Sequence, residues 1–334
     1  MFIIASHVAS HAGVNLFAFN SKSILAVLLV YLGQIGNGLF IFSTAYYISG
    51  TFNLRKWLRL LIESWTISVM VLCIFAIFDR DRLSMVAVLK SILPVTFSSN
   101  WFITAYLLFT LLIPVLVLLV QSMSKRMHLY LLLTMLTLYS VIPCIFGSRF
   151  FTSGIFGFIM IYLLVSFLKQ YYPNLRIENK CLLWVGTLSA LIIVAFVVGV
   201  NFLGQFSAIV YGKTLFWQSY QDFPILVVSF SAFYCALNHP AHSWKYIDMI
   251  SSYSLEIYLI HANILIMSTS VYSKLLTYFE RYSIGFSFLL STMIVGMSSL
   301  LLGWIYRKIL GSITDRIACQ ISEHLYRRFL QYFQ

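Results

Sequence analysis

MFIIASHVASHAGVNLFA, residues 1–18, is apolar enough to sit in a bilayer, yet it carries His7 and His11, four residues apart. On a helix that spacing places both imidazoles on one face. Ionisable side chains within a membrane helix are costly and usually face a cavity or a partner. The remaining helices are therefore expected to be arranged around this one, with His7 at the chemical centre.

The same apolar character runs through the whole chain. Of its 334 residues, 60% are hydrophobic and 10% are charged, whereas soluble domains carry about 25% charged residues. The fold class that follows is all-α, a polytopic membrane helix bundle with no separate soluble domain. Net charge is +12, from 22 Lys and Arg against 10 Asp and Glu. These basic residues fall in short segments between apolar runs, the positive-inside pattern, so nucleic acid is set aside as a partner. Cys73, Cys144, Cys181, Cys235 and Cys319 are scattered without a CxxC pair and read as apolar packing residues. Residues 1–18 lack the basic start of a signal peptide and read as the first span.

A span needs about 20 apolar residues. That rule predicts about ten transmembrane helices, over 1–18, 24–49, 59–78, 98–121, 128–147, 151–169, 182–203, 216–237, 252–272 and 283–306. Residues 84–95 are too short to cross and are expected at the interface. Residues 204–214 are expected to form a partly re-entrant loop. The transmembrane domain thus covers 1–306. Residues 307–334, with Arg307, Lys308, Arg316, Arg327 and Arg328, read as an amphipathic, basic cytoplasmic tail. Orientation follows from loop charge. One set of loops holds Arg55, Lys56, Arg59, Lys125, Arg126, Lys169, Arg176, Lys180, Lys245 and the five tail residues. The other holds Lys22, Arg80, Arg82, Lys90, Arg149, Lys213, Lys274 and Arg281. The first, richer set is assigned to the cytoplasm, which puts both termini there. No internal repeat is visible, which argues against transporters built from inverted halves.

Polar residues within the spans are functional candidates, each with a structural reading beside it. His7 and His11 serve either interhelical packing or chemistry; a neutral imidazole suits the role of general base. A two-histidine metal site is disfavoured, since the Glu of HExxH and any carboxylate ligand are missing. Gly33, Gly36 and Gly38 read as points of close helix approach, with Asn37 and Thr44 as hydrogen-bonding groups. Arg55, Lys56 and Arg59 read as positive-inside anchors or as a phosphate-binding patch. Asn100 and Trp101 open the fourth span and either anchor it or line a substrate cleft. In the ninth span Ser254, Tyr258 and His261 share a face. Glu256 points elsewhere and serves as a proton carrier or as the partner of a basic residue on another helix.

Four pieces together resemble the membrane-bound acyltransferase 3 family, which O-acylates bacterial surface glycans. They are IIASHVASH, then GNGLFIFSTAYY with its following RKWLR run, then NWFITAYLLFTLLIPVL, and SLEIYLIH. The resemblance implies about ten helices, an acyl-coenzyme A donor from the cytoplasm and a carbohydrate hydroxyl as acceptor, on a lipid-linked or exported glycan. It implies no tightly bound cofactor and a place in the inner, or plasma, membrane. It assigns the family histidine to His7, the basic motif to Arg55–Arg59, the aromatic motif to Trp101 and the YLIH-like end to Tyr258–His261. Asn37, Asn100, Trp101, Glu256, Tyr258 and His261 are then the expected cleft residues. The family pattern also places a basic residue about three helical turns before the histidine. Here Met1 stands six residues before His7, so either the start is truncated or misassigned, or that role is missing and activity is impaired. The family's Arg-x-x-Arg appears as Lys56-x-x-Arg59, which keeps the charge and loses one bidentate group.

The expected reaction is transfer of an acyl group, acetyl by the resemblance, from coenzyme A to a sugar hydroxyl deprotonated by His7. Arg55, Lys56 and Arg59 hold the donor phosphates, helped by Lys125 and Arg126. Ser6, Asn37 and Asn100 are the oxyanion-donor candidates, and a covalent acyl-enzyme is the other possible route. Three alternatives stand beside it. One is a non-enzymatic exporter or flippase of a glycan or lipid-linked sugar. Another is a glycan polymerase, disfavoured by the short outer loops. The third is an inactive relative of an acyltransferase.

Overall fold

The computed structural model describes residues 1–48, 50–147, 154–240, 243–268 and 270–332. Ser49 and Thr269, within the second and ninth expected spans, lie outside the described residues. So do Arg149 and the first residues of the sixth expected span, 151–153.

Every regular element among the described residues is helical. In chain order they are α1 (Phe2–His11), α2 (Ser21–Tyr47), α3 (Leu54–Phe78), α4 (Met85–Ile92) and α5 (Trp101–Ser122). Then come α6 (Lys125–Leu136) and α7 (Ile142–Phe146), joined by a π-helical turn, α8 (Ile155–Tyr171), α9 (Asn179–Leu203) and α10 (Phe223–Asn238). Four short helices follow: α11 (Lys245–Ser251), α12 (Ser254–His261), α13 (Ile264–Met267) and α14 (Val271–Phe279). The chain closes with α15 (Ile284–Tyr306) and α16 (Ser312–Tyr332), again joined by a π-helical turn. Six of these helices, with α6–α7 and α15–α16 each taken as one, are long and apolar enough to cross a membrane. α8 and α10 are apolar but shorter.

Six such helices among the described residues do not confirm the ten spans expected. Residues 1–18 are the clearest departure. α1 ends at His11, where Ala12 leaves the helix and Gly13 adopts a left-handed conformation with φ 73°. Its ten residues cover about 15 Å, half of a hydrocarbon core of about 30 Å. Residues 252–272 are not one span either. α12 stops at His261, Asn263 turns extended, and its side chain accepts the Leu265 N–H to cap α13. The basic run also differs from a loop. Asn53 accepts the Lys56 N–H and starts α3 there, so Arg55, Lys56 and Arg59 lie on its first two turns. Among the described residues of the expected tail, α16 follows α15 through the π-helical turn and packs against α3.

The chain divides into two compact units. The first comprises residues 1–49, 115–242 and 270–293. Its centre is α2, which packs against α1, α8, α9 and α10. Val27, Tyr31, Ile193, Val197 and Ile225 form a buried core there. Residues 204–214, expected as a partly re-entrant loop, are turns that run into a short 3-10 helix, Lys213–Leu215. This irregular backbone is held by side chains: the Tyr31 hydroxyl donates to the Thr214 carbonyl at 2.7 Å, and Thr214 bonds Asn201. Backbone outside helices needs such partners when water is scarce.

The second unit comprises residues 50–114, 243–269 and 294–334. Its centre is α3, which packs against α4, α12, α13 and α16. Ile67, Ile103, Leu107, Leu259, Ile260 and Tyr306 form its core. Trp57 fixes the start of α3 by donating its indole N–H to the Leu107 carbonyl on α5 at 3.0 Å. Trp65 does the same for the Ile92 carbonyl at the end of α4, at 2.9 Å.

Candidate functional site

In the first unit, α1 is seated by glycines. A side chain at Gly33 would run into Ser6, and a Cβ at Gly36 would meet Ile3 Cγ1 at 3.2 Å. Two adjacent turns of α2 thus accept α1 at backbone distance, the small-residue contact that membrane helices favour. Gly38 does the same for α10, against Ser229. Ile4, Ala5, Ser6, Val8 and Ala9 are buried by this packing. The Ser6 hydroxyl donates to the Val30 carbonyl at 3.4 Å, and the Ser10 hydroxyl to the Ser6 carbonyl at 2.8 Å.

This seating leaves His7 and His11 side by side and only partly buried. Their rings meet edge to face, with centroids 6.2 Å apart. His11 also contacts the fully buried Tyr272 of α14, at 6.0 Å between centroids. The i,i+4 spacing does place both imidazoles together, and Tyr272 is a neighbour that residue spacing does not foretell. Asn37 is buried on α2, four residues from Gly33 and so on the same face. Its amide donates to Gln34 at 3.3 Å.

The second unit gathers the remaining candidates. Arg55, Lys56 and Arg59 are all exposed. They crowd the positive end of a 25-residue helix, where unpaired N–H groups and the helix dipole already favour an anion. Arg59 has two carboxylates at its Nε: Asp315 of α16 at 3.0 Å and Glu63 one turn along α3 at 3.8 Å. Lys125, in the first unit, lies over the Tyr172 ring at 4.5 Å.

At the start of α5, Asn100 is buried, and its Oδ1 has no hydrogen-bond partner among the described residues. Trp101 is 41% exposed. From it an aromatic row runs inward: Trp101 to Phe102 at 5.4 Å, Phe102 to Tyr258 at 5.9 Å, and Tyr258 to His261 at 5.8 Å between centroids. The shared face expected for Tyr258 and His261 is present. His261 is buried, and its Nδ1 lies 2.5 Å from the Ile257 carbonyl. A carbonyl only accepts, so Nδ1 carries the proton, and in the neutral ring Nε2 is the acceptor nitrogen.

Glu256 takes the ion-pair role. Its Oε1 accepts from Arg307 Nε at 2.6 Å and pairs with Arg307 Nη2 as well. Arg307 also donates to the Ser252 carbonyl at 2.6 Å and lies 3.9 Å over the Tyr253 ring. Gly303 makes room, since a Cβ there would sit 2.9 Å from Glu256 Cβ. The partner is thus Arg307, expected as a tail residue. Glu63, Asp315 and Tyr306 were not singled out by sequence reasoning. The Arg59–Glu63 spacing of four was a visible sign of the first; the second needed knowledge of where α16 packs. Among the described residues, no three His, Cys, Asp or Glu are grouped to hold a metal ion.

A family model described as an acyltransferase domain matches residues 1–308. No curated protein and no solved structure matches the chain.

Proposed function

The chain belongs to the acyltransferase 3 family, and from that premise we propose that it transfers an acetyl group from acetyl-coenzyme A to a carbohydrate hydroxyl. The acceptor in this reading is a cell-surface or lipid-linked glycan, and the enzyme sits in the inner membrane with its C-terminus and the basic start of α3 in the cytoplasm. The carrying observation is the family match across residues 1–308, which includes His7, the basic run, Trp101 and His261. It supports membrane-bound acyl transfer over a non-enzymatic exporter.

His7 is the general base in this reading. It removes the proton of the acceptor hydroxyl while that oxygen attacks the thioester carbonyl. The carbon–sulfur bond then breaks, an ester forms, and the imidazolium returns its proton to the departing coenzyme A thiolate. His11, edge-on to His7 at 6.2 Å, supports it as a polar neighbour. The basic run receives the donor's phosphates: Arg55, Lys56 and Arg59 add three formal charges to a helix end that already attracts anions. Asn37, Asn100, Trp101, Tyr258 and His261 are the proposed substrate-contacting residues. Glu256, paired with Arg307, holds its helix in place.

The test is calorimetric titration of the purified, lipid-reconstituted protein with acetyl-coenzyme A, followed by measurement of free thiol in membranes that hold the native glycan. Saturable binding and acceptor-dependent thiol release are expected. Absence of both would favour the exporter.

A further inference from the structure

We propose that Asp315, on the helix beyond the family's matched region, is a positioning residue for Arg59 and through it for the donor's phosphate. The proposal rests on the donor reading given above. The matched region ends at residue 308, and α16 begins at Ser312. The carboxylate that meets Arg59 therefore comes from a segment outside the shared domain.

The geometry favours a fixed support over a movable latch. α16 does not hang on the ion pair alone. Thr314 and Ala318, one turn apart on the face toward α3, are 3% and 0% exposed. The Tyr306 hydroxyl bonds both Thr66 of α3, at 2.7 Å, and Thr314 of α16, at 3.1 Å. These contacts deliver Asp315 to a set place, 3.0 Å from Arg59 Nε. Glu63 approaches the same nitrogen, at 3.8 Å, from Arg59's own helix. Both carboxylates address the Nε side of the guanidinium. A guanidinium is a rigid fork of five donors, so fixing its Nε side sets the direction of its terminal nitrogens. Arg59 is still half exposed, at 49%, which leaves it accessible to a dianion from solution.

An exposed pair of this kind is weak, at most about 1 kcal/mol, which corresponds to a change of about fivefold. The experiment is titration of the full-length, lipid-reconstituted protein with coenzyme A, for the wild type, Arg59→Ala, Asp315→Asn, Asp315→Glu and the double variant Arg59→Ala/Asp315→Asn. Arg59→Ala should weaken binding by about tenfold or more. Asp315→Asn should weaken it by about three- to fivefold, and Asp315→Glu should restore it. In the double variant the Asp315 substitution should add nothing, because it acts only through Arg59. Unchanged or tighter binding with Asp315→Asn, or a further loss in the double variant, overturns the positioning role. If Arg59→Ala itself leaves binding unchanged, the donor reading of the basic run fails instead.

Discussion

At the scale of single residues, His7 and Glu256 sit in different settings. His7 is partly accessible beside His11, as a base that meets substrate must be. Its replacement by alanine should slow acyl transfer by about 10²–10⁴-fold. Coenzyme A affinity should stay within twofold, since the phosphates are assigned to another helix; a matched loss of donor binding in the titration would count against the base role. Glu256 is 1% exposed, and Arg307 is its ion-pair partner. Removing the arginine leaves a buried carboxylate without its counter-charge, which costs about 3 kcal/mol or more. Arg307→Ala should therefore lower the thermal unfolding midpoint in detergent markedly. A midpoint equal to that of the wild type would mean that the pair is dispensable.

Elements are where sequence reading and structure part company, and the causes are local. The long apolar helices α2, α3, α5 and α9 were legible because periodicity and length agree in them. α1 was overextended because hydrophobicity continues past His11, while Gly13, at φ 73°, is a single residue in an apolar run. Residues 252–272 read as one span for the same reason, because the cap Asn263 is a single polar residue in an apolar run. Of the candidate site, the His7–His11 and Tyr258–His261 pairs could be read from helical spacing. Tyr272, Arg307 and Asp315 could not, because each meets its partner through tertiary packing. The glycines of α2 were read correctly as contact points, and the structure says which helix each one serves. Gly33→Ala would place a Cβ against Ser6. Such overpacking costs about 1–3 kcal/mol, and activity should fall as α1 shifts. Ser6→Gly in the same chain removes the obstruction and should recover much of that activity in the thiol-release assay. Failure to recover would mean that Gly33 matters for another reason.

For the whole molecule, the membrane character rests on six long apolar helices and on the family's match. The topology proposed from loop charge puts the C-terminus and the basic start of α3 in the cytoplasm. A fluorescent reporter fused after Gln334 should therefore be bright, and alkaline phosphatase fused there inactive; the reverse pattern would invert the orientation. The proposed activity is narrower: acylation of a glycan with His7 as the base. The most direct measurement is the O-acetyl content of the cell-surface glycan in cells making the wild type or His7→Ala at equal membrane abundance. O-acetylation is expected with the wild type, and a fall of about 10²-fold or more with the variant. Full O-acetylation in the His7→Ala cells would contradict it.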